Sequence, residues 1–183
     1  MLRTLILVLA APLLASGCAS ISKKDCIAGD WAGLGYGDGA AGRSTTRFAD
    51  HVKACAKVAV MPDEAQYRRA FERGLLEYCT PEKAYSEGRN GAEYQGVCPP
   101  ELQVAFLQPY LDGLDDKLAR LDIEYETVRS SLESDRVSRA SLGEQGTSKS
   151  LRRSIEYGES RVSSINTERL EIRNRISRWR REL

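Results

Sequence analysis

The 183-residue chain has one histidine and almost no net charge. His51 is therefore the one side chain whose ordinary pKa lies near neutrality, and acid–base chemistry at pH 7 has little else to draw on. The cysteines include no Cys-x-x-Cys pair, so a common zinc or redox spacing is missing. No serine, cysteine or carboxylate constellation matches a nucleophilic or hydrolytic motif. Beyond the N-terminus no apolar stretch approaches membrane length. Lysine and arginine total 27 against 26 aspartates and glutamates, a balance that argues against nucleic acid as a partner.

The N-terminus does carry a short apolar run, Leu5–Leu14, preceded by a single charge at Arg3 and followed by Ala15-Ser16-Gly17 and then Cys18. The run is too short to span a bilayer, and small residues before a break in hydrophobicity read as a secretory signal over residues 1–17. A cysteine at the cleavage position resembles the lipobox of bacterial lipoproteins, in which that cysteine is acylated. Each buried acyl methylene adds ~0.8 kcal/mol of membrane affinity, so several chains on Cys18 would hold the protein to a lipid bilayer. Ala19, where a sorting aspartate is absent, implies the outer membrane within that resemblance. Without Arg3 the two charge classes balance, 27 − 1 = 26 against 26.

Four cysteines remain: Cys26, Cys55, Cys79 and Cys98. In an oxidising compartment an even number reads as two disulfides, and three connectivities satisfy it. Loop-closure entropy favours Cys26–Cys55 with Cys79–Cys98. The rival reading is a metal site, because His51 and Cys55 stand four apart and would share a helix face. Disulfides are the expectation, with no metal and no cofactor.

The composition changes at Pro99-Pro100. Residues 18–25 form a linker after the anchor, and residues 26–110 form a head rich in Gly, Tyr and Cys. Helices are predicted from Thr46 to Lys57, from an Asp63 N-cap to Tyr78, and from Pro81 to the Asn90-Gly91 pair. One local pattern recurs, an aromatic followed three residues later by glycine, at Tyr36/Gly39, Phe71/Gly74, Tyr85/Gly88 and Tyr110/Gly113. On a helix each ring would flank a groove with no side chain, so a second helix could approach closely. Tight packing is the favoured reading, and a concave aromatic-lined site is the alternative. Gly29, Gly33 and Gly37 match a glycine zipper, but Asp30 and Asp38 argue against membrane insertion.

The order Gly29-Asp30-Trp31, Gly35-Tyr36-Gly37-Asp38-Gly39, Gly42, His51, Cys55, Tyr67, Gly74, Tyr78-Cys79, Gly88, Gly91, Tyr94 and Val97-Cys98-Pro99 resembles a family of small proteobacterial lipoproteins classified as a domain of unknown function, number 2799. The resemblance covers roughly Cys26 to Gly113. It implies an envelope lipoprotein and supplies no reaction, substrate or catalytic residue.

Residues 111–183 follow a different rule. Mostly apolar residues step by threes and fours through Leu111, Leu114, Leu118, Leu121, Tyr125, Val128 and Leu132, and again through Leu151, Ile155, Gly158, Val162, Ile165, Arg169, Ile172, Ile176, Trp179 and Leu183. This is a coiled-coil seam. The two series mirror one another about Leu142–Ser148, pairing Leu114 with Trp179, Leu121 with Ile172, Leu118 with Ile176 and Leu132 with Val162. An antiparallel hairpin follows, its outgoing arm about 48 Å long at 1.5 Å per residue. Acidic residues crowd the outgoing helix and Arg173, Arg175, Arg178, Arg180 and Arg181 the returning one, so Asp112, Asp115 and Asp116 should meet arginines at the base.

The expected protein is mainly α: a disulfide-tied helical head followed by a long antiparallel helical hairpin. Its expected role is a non-catalytic, outer-membrane-anchored lipoprotein facing the periplasm. Its partners would be the bilayer through acylated Cys18 and an envelope protein or the cell wall, with a second copy of the chain as a further partner through the hairpin. The alternative is a small enzyme or ligand-binding module at His51, with Asp38, Asp50 and Tyr36 as companions.

Overall fold

The computed structural model describes residues 21–183, so the signal segment and Cys18 lie outside the described residues. In chain order the helices are α1 (Lys23–Ala28), α2 (Trp31–Ala40), α3 (Arg47–Ala56), α4 (Glu64–Tyr78), α5 (Pro81–Asn90), α6 (Pro100–Gly146) and α7 (Lys149–Trp179), with no strand among the described residues. Capping chemistry explains where they begin and end. Ser22, Asp63, Thr80 and Ser148 each accept a bond from the backbone N–H three residues on, which satisfies one of the orphan donors of a first turn. Gly29 and Gly91 close α1 and α5 in the left-handed conformation, at φ 68° and 72°.

Two compact units result. One holds residues 21–30 together with Thr46–Pro62. In it α1 and α3 are joined by the Cys26–Cys55 disulfide, and α3 turns Phe48, His51 and Cys55 inward at steps of three and four.

The second unit holds Trp31–Thr45 and Asp63–Leu183. Here α2 packs on α4, α5 on the start of α6, and the rest of α6 on α7. The first of these helices is unexpected. Gly33, Gly35, Gly37 and Gly39 all fall within α2, and each glycine costs a helix about 0.5–1 kcal/mol relative to alanine. Packing against α4 overrides that propensity.

The hairpin arm is a direct extension of a head helix. α6 starts at Pro100, runs on past Leu111, and breaks at Gly143, whose φ of 67° and ψ of 173° suit glycine alone. The Thr147 amide and hydroxyl then both donate to the Gly143 carbonyl, at 3.1 and 2.7 Å. α7 returns antiparallel, and Leu121, Leu132, Ile155, Ile165, Ile172 and Ile176 are buried along the seam.

The register differs from the mirror pairing by one helical turn. Leu132 lies opposite Gly158, not Val162: its Cδ1 is 3.2 Å from where a Gly158 Cβ would stand. The missing side chain at Gly158 makes room for the leucine, and charges on both flanks fit this alignment. On one flank Lys117 pairs with Glu168 at 2.7 Å and Arg161 with Glu124, its Nε at 2.8 Å. On the other, Arg136 pairs with Glu159 at 2.8 Å and Arg169 with Asp122 at 2.6 Å. Arg136–Glu159 is exposed and the other three are half-buried, and pairs open to solvent are worth only ~0.2–1 kcal/mol each. They select among registers that the apolar seam leaves nearly equal.

The basic end of α7 is used within the chain. Arg180 meets Asp115 at 3.0 Å, Arg178 meets Glu93 at 3.2 Å, and Arg175 donates to the carbonyls of Gly91 and Ala92. Asp112 accepts from Gln108 and Asp116 from Tyr85 rather than from an arginine. Ile165 is fully buried, so Ile165→Val, which deletes one methylene, is expected to lower the unfolding free energy by about 1 kcal/mol in a urea titration with unchanged slope.

Candidate functional site

The aromatic–glycine pattern is a packing device. At the α2–α4 crossing a Cβ on Gly39 would collide with the backbone carbonyl of Phe71, and one on Gly74 would collide with that of Tyr36 and lie 2.6 Å from the Ala40 nitrogen. At the α5–α6 crossing a Cβ on Gly88 would meet the carbonyl of Tyr110, and one on Gly113 would meet that of Tyr85 and lie 2.6 Å from the Arg89 nitrogen. Each glycine thus receives the backbone of the residue that carries its partner helix's ring.

The rings beside the notches divide into two kinds. Tyr36 and Tyr85 are exposed and each faces a carboxylate across the crossing: Tyr36 lies in the field of Glu77, and the Tyr85 hydroxyl donates to Asp116. The Glu77 charge raises the Tyr36 phenol above its ordinary pKa, and the bond to Asp116 does the same for Tyr85. Apolar periodicity does not reveal these pairs. Their signal is an acid three residues after the second glycine of each crossing.

Phe71 and Tyr110 point inward. Around Tyr110 the chain builds an aromatic cluster: Tyr94 lies 4.6 Å from Phe106 and 4.8 Å from Trp179, and Phe106 stacks on Tyr78 at 5.2 Å. The Tyr110 hydroxyl accepts from the Tyr94 amide and donates to the Ala92 carbonyl, while the Tyr94 hydroxyl accepts from the Cys98 amide. Burial pushes the phenols of Tyr78, Tyr94 and Tyr110 above the ordinary phenol range. A phenol raised in the folded state favours folding fully below its unfolded pKa, and this contribution falls as pH rises through about 10 towards the folded value. Absorbance of phenolate should therefore show five tyrosines that ionise only above pH ~10, and the buried three among them, Tyr78, Tyr94 and Tyr110, should ionise together with the loss of helical circular dichroism. Ionisation of all tyrosines at pH ~10 in a chain that stays helical would contradict this burial.

The residues read as candidates for chemistry do not converge on a reaction. His51 is 1% exposed, which denies it contact with a substrate, and Cys55 beside it is bonded to Cys26. Asp38 accepts from the Tyr67 hydroxyl at 2.7 Å, and Tyr36 faces Glu77. No group of three or more His, Cys, Asp or Glu among the described residues is placed to hold a metal ion. A cleft of about 150 Å³ lies between Thr45, Tyr67, Phe71 and Leu75. It is smaller than the roughly 300–1,000 Å³ typical of small-molecule sites. The remaining cysteines are joined as Cys79–Cys98.

The fold and its cysteines define an all-helical, disulfide-bonded domain whose helices cross at paired glycines. Residues 30–115 match the family model described as Protein of unknown function (DUF2799), and this segment of the chain belongs to that family. No curated protein and no solved structure matches the chain.

Proposed function

We propose that the protein is a non-catalytic lipoprotein of the outer membrane, held on the periplasmic side by acylated Cys18, and that it serves as an interaction module. The hairpin is the observation that carries this reading. α7 devotes 31 residues to pairing with α6, and the outer faces of the arm carry serines and paired charges rather than an enclosed apolar cavity. A helical pair of that length is a surface for contact, and an envelope protein or the cell wall is the partner it suits. Deep burial of His51 weighs against the enzyme alternative.

Two measurements test the reading separately. Cys18→Ser is expected to move the protein from the membrane fraction to the soluble periplasmic fraction; retention in the membrane would remove the anchor. A photo-cross-linking residue placed at Ser130, Val137 or Ser160, all exposed on the arm, is expected to capture an envelope component in growing cells. Capture from Lys53 or Arg69 in the head, with none from the arm, would overturn the role of the hairpin.

A further inference from the structure

The two glycine crossings correspond residue by residue, and the correspondence extends well beyond the notches. The first helix of each pair reads Tyr36-Gly37-Asp38-Gly39-Ala40-Ala41-Gly42 in α2 and Tyr85-Ser86-Glu87-Gly88-Arg89-Asn90-Gly91 in α5. Gly42 and Gly91, the last residues of these stretches, both have positive φ, 61° and 72°. The second helix reads Tyr67-x-x-x-Phe71-x-x-Gly74-Leu75-x-Glu77 in α4 and Phe106-x-x-x-Tyr110-x-x-Gly113-Leu114-x-Asp116 in α6.

The geometry follows the same alignment. Tyr67 and Phe71 stack at 6.0 Å and 20°, Phe106 and Tyr110 at 6.1 Å and 23°. Tyr36 faces the Glu77 charge as Tyr85 faces Asp116, to which it donates. The cysteines repeat too. Cys26 precedes α2 and is bonded to Cys55 in the connection to α4, while Cys79 precedes α5 and is bonded to Cys98 in the connection to α6.

We infer that the chain contains a tandem duplication: Cys26–Tyr78 and Cys79–Lys117 are two copies of one disulfide-bonded helix pair, each closing its own glycine crossing. Chance convergence would have to reproduce four notch glycines, two left-handed glycines, two facing tyrosine–carboxylate pairs and two disulfides at matching places. The copies have diverged where their surroundings differ. The connection between the paired helices holds α3 in the first copy and is short in the second. Gly35, which sits against the Tyr67 backbone, is matched by buried Ala84. The second helix of the second copy continues outward to form the arm, so the hairpin is an addition to a duplicated unit. The family segment 30–115 accordingly spans most of both copies and stops where the arm begins.

Hydrogen exchange of the full-length protein, read peptide by peptide, tests the inference. The variant Gly37→Ser/Ala40→Arg/Ala41→Asn gives the first copy the residues of the second over 36–42 except at Asp38, which is kept because it accepts from the Tyr67 hydroxyl where the second copy has Phe106. It adds no atom at a notch glycine, a Cβ at Gly37 would have nothing within 4 Å, and Arg89 already occupies the place equivalent to residue 40. Protection of α2 and α4 is expected to stay within about twofold of the parent. Gly39→Ala should raise exchange by about tenfold or more in α2 and α4 and leave α5 and residues 100–117 unchanged, with Gly88→Ala giving the reverse pattern. Loss of protection in the transplant, or a Gly39→Ala variant that opens both crossings together, would overturn the duplication. Should Gly39→Ala fail to fold, the transplant alone decides.

Discussion

Gly74→Ala should lower the unfolding free energy by about 3 kcal/mol, while Gly37→Ala, on a neighbouring helix of the same pair, should raise it by about 0.5–1 kcal/mol. The two substitutions add the same methyl group. At Gly74 that methyl would collide with the Tyr36 carbonyl oxygen and lie 2.6 Å from the Ala40 nitrogen, and both are backbone atoms with no rotamer to change. Relief requires α2 and α4 to separate, which breaks the Tyr67–Asp38 bond and exposes the Tyr67–Phe71 stack. Overpacking ordinarily costs about 1–3 kcal/mol where side chains can yield, so the upper end applies to a backbone contact. At Gly37 nothing lies within 4 Å, and alanine restricts the unfolded chain and favours helix. Thermal unfolding followed by circular dichroism separates the two, since 1 kcal/mol shifts the midpoint of a domain this size by about 2–4 °C. Equal effects of the two substitutions would mean that helix propensity, not the crossing, governs these glycines.

The same crossing explains what is legible in the sequence. The i, i+3 spacing of an aromatic and a glycine identifies a notched helix face, and all four instances are notches. Helix ends are equally readable, because Asp63, Thr80 and Ser148 are capping residues before apolar periodicity and Gly91 and Gly143 are positions with positive φ. α2 is harder to read. Four glycines in ten residues carry no helix propensity, and the stabilising partner, α4, lies about thirty residues away in sequence.

The hairpin shows a different limit. A seam stepping by threes and fours fixes two helices and their antiparallel direction, but sliding one helix by a turn returns apolar residues to apolar neighbours. Leu132 against Val162 and Leu132 against Gly158 look alike by hydrophobicity alone. Side-chain volume at Gly158 and the flanking pairs Lys117–Glu168, Glu124–Arg161 and Arg136–Glu159 distinguish them. Such pairs are individually weak, yet register is a difference between near-equal states, where weak terms decide. The residues that the sequence offers for chemistry have structural placements that periodicity does not reveal: His51 is sealed in, and the tyrosines of the head either flank a crossing or fill the core.

Replacing both Cys79 and Cys98 by serine should lower the unfolding free energy by about 3 kcal/mol, and reduction of the parent protein, which opens Cys26–Cys55 as well, should lower it further. The bond closes a loop of sequence separation 19, for which lost chain entropy in the unfolded state gives a figure of that size. Its position adds a local effect. Cys98 sits at the end of the short connection from α5 to α6, its amide donates to the Tyr94 hydroxyl, and the Tyr94 ring lies against Phe106 and Trp179. Freeing Cys98 therefore loosens the clamp that holds Tyr94 in the aromatic cluster, so near-ultraviolet circular dichroism should weaken before helical signal is lost. The Cys26→Ser/Cys55→Ser variant opens a loop of separation 29, with a similar cost of about 3–4 kcal/mol but without the change in the Tyr94 signal. These outcomes also discriminate between a covalent tie and a metal tie at the same cysteines. A reductant should lower the melting temperature and a strong chelator should leave it in place. The opposite response, sensitivity to the chelator and indifference to the reductant, would mean that His51 and its neighbouring cysteine hold an ion and that the pairing of all four cysteines is wrong.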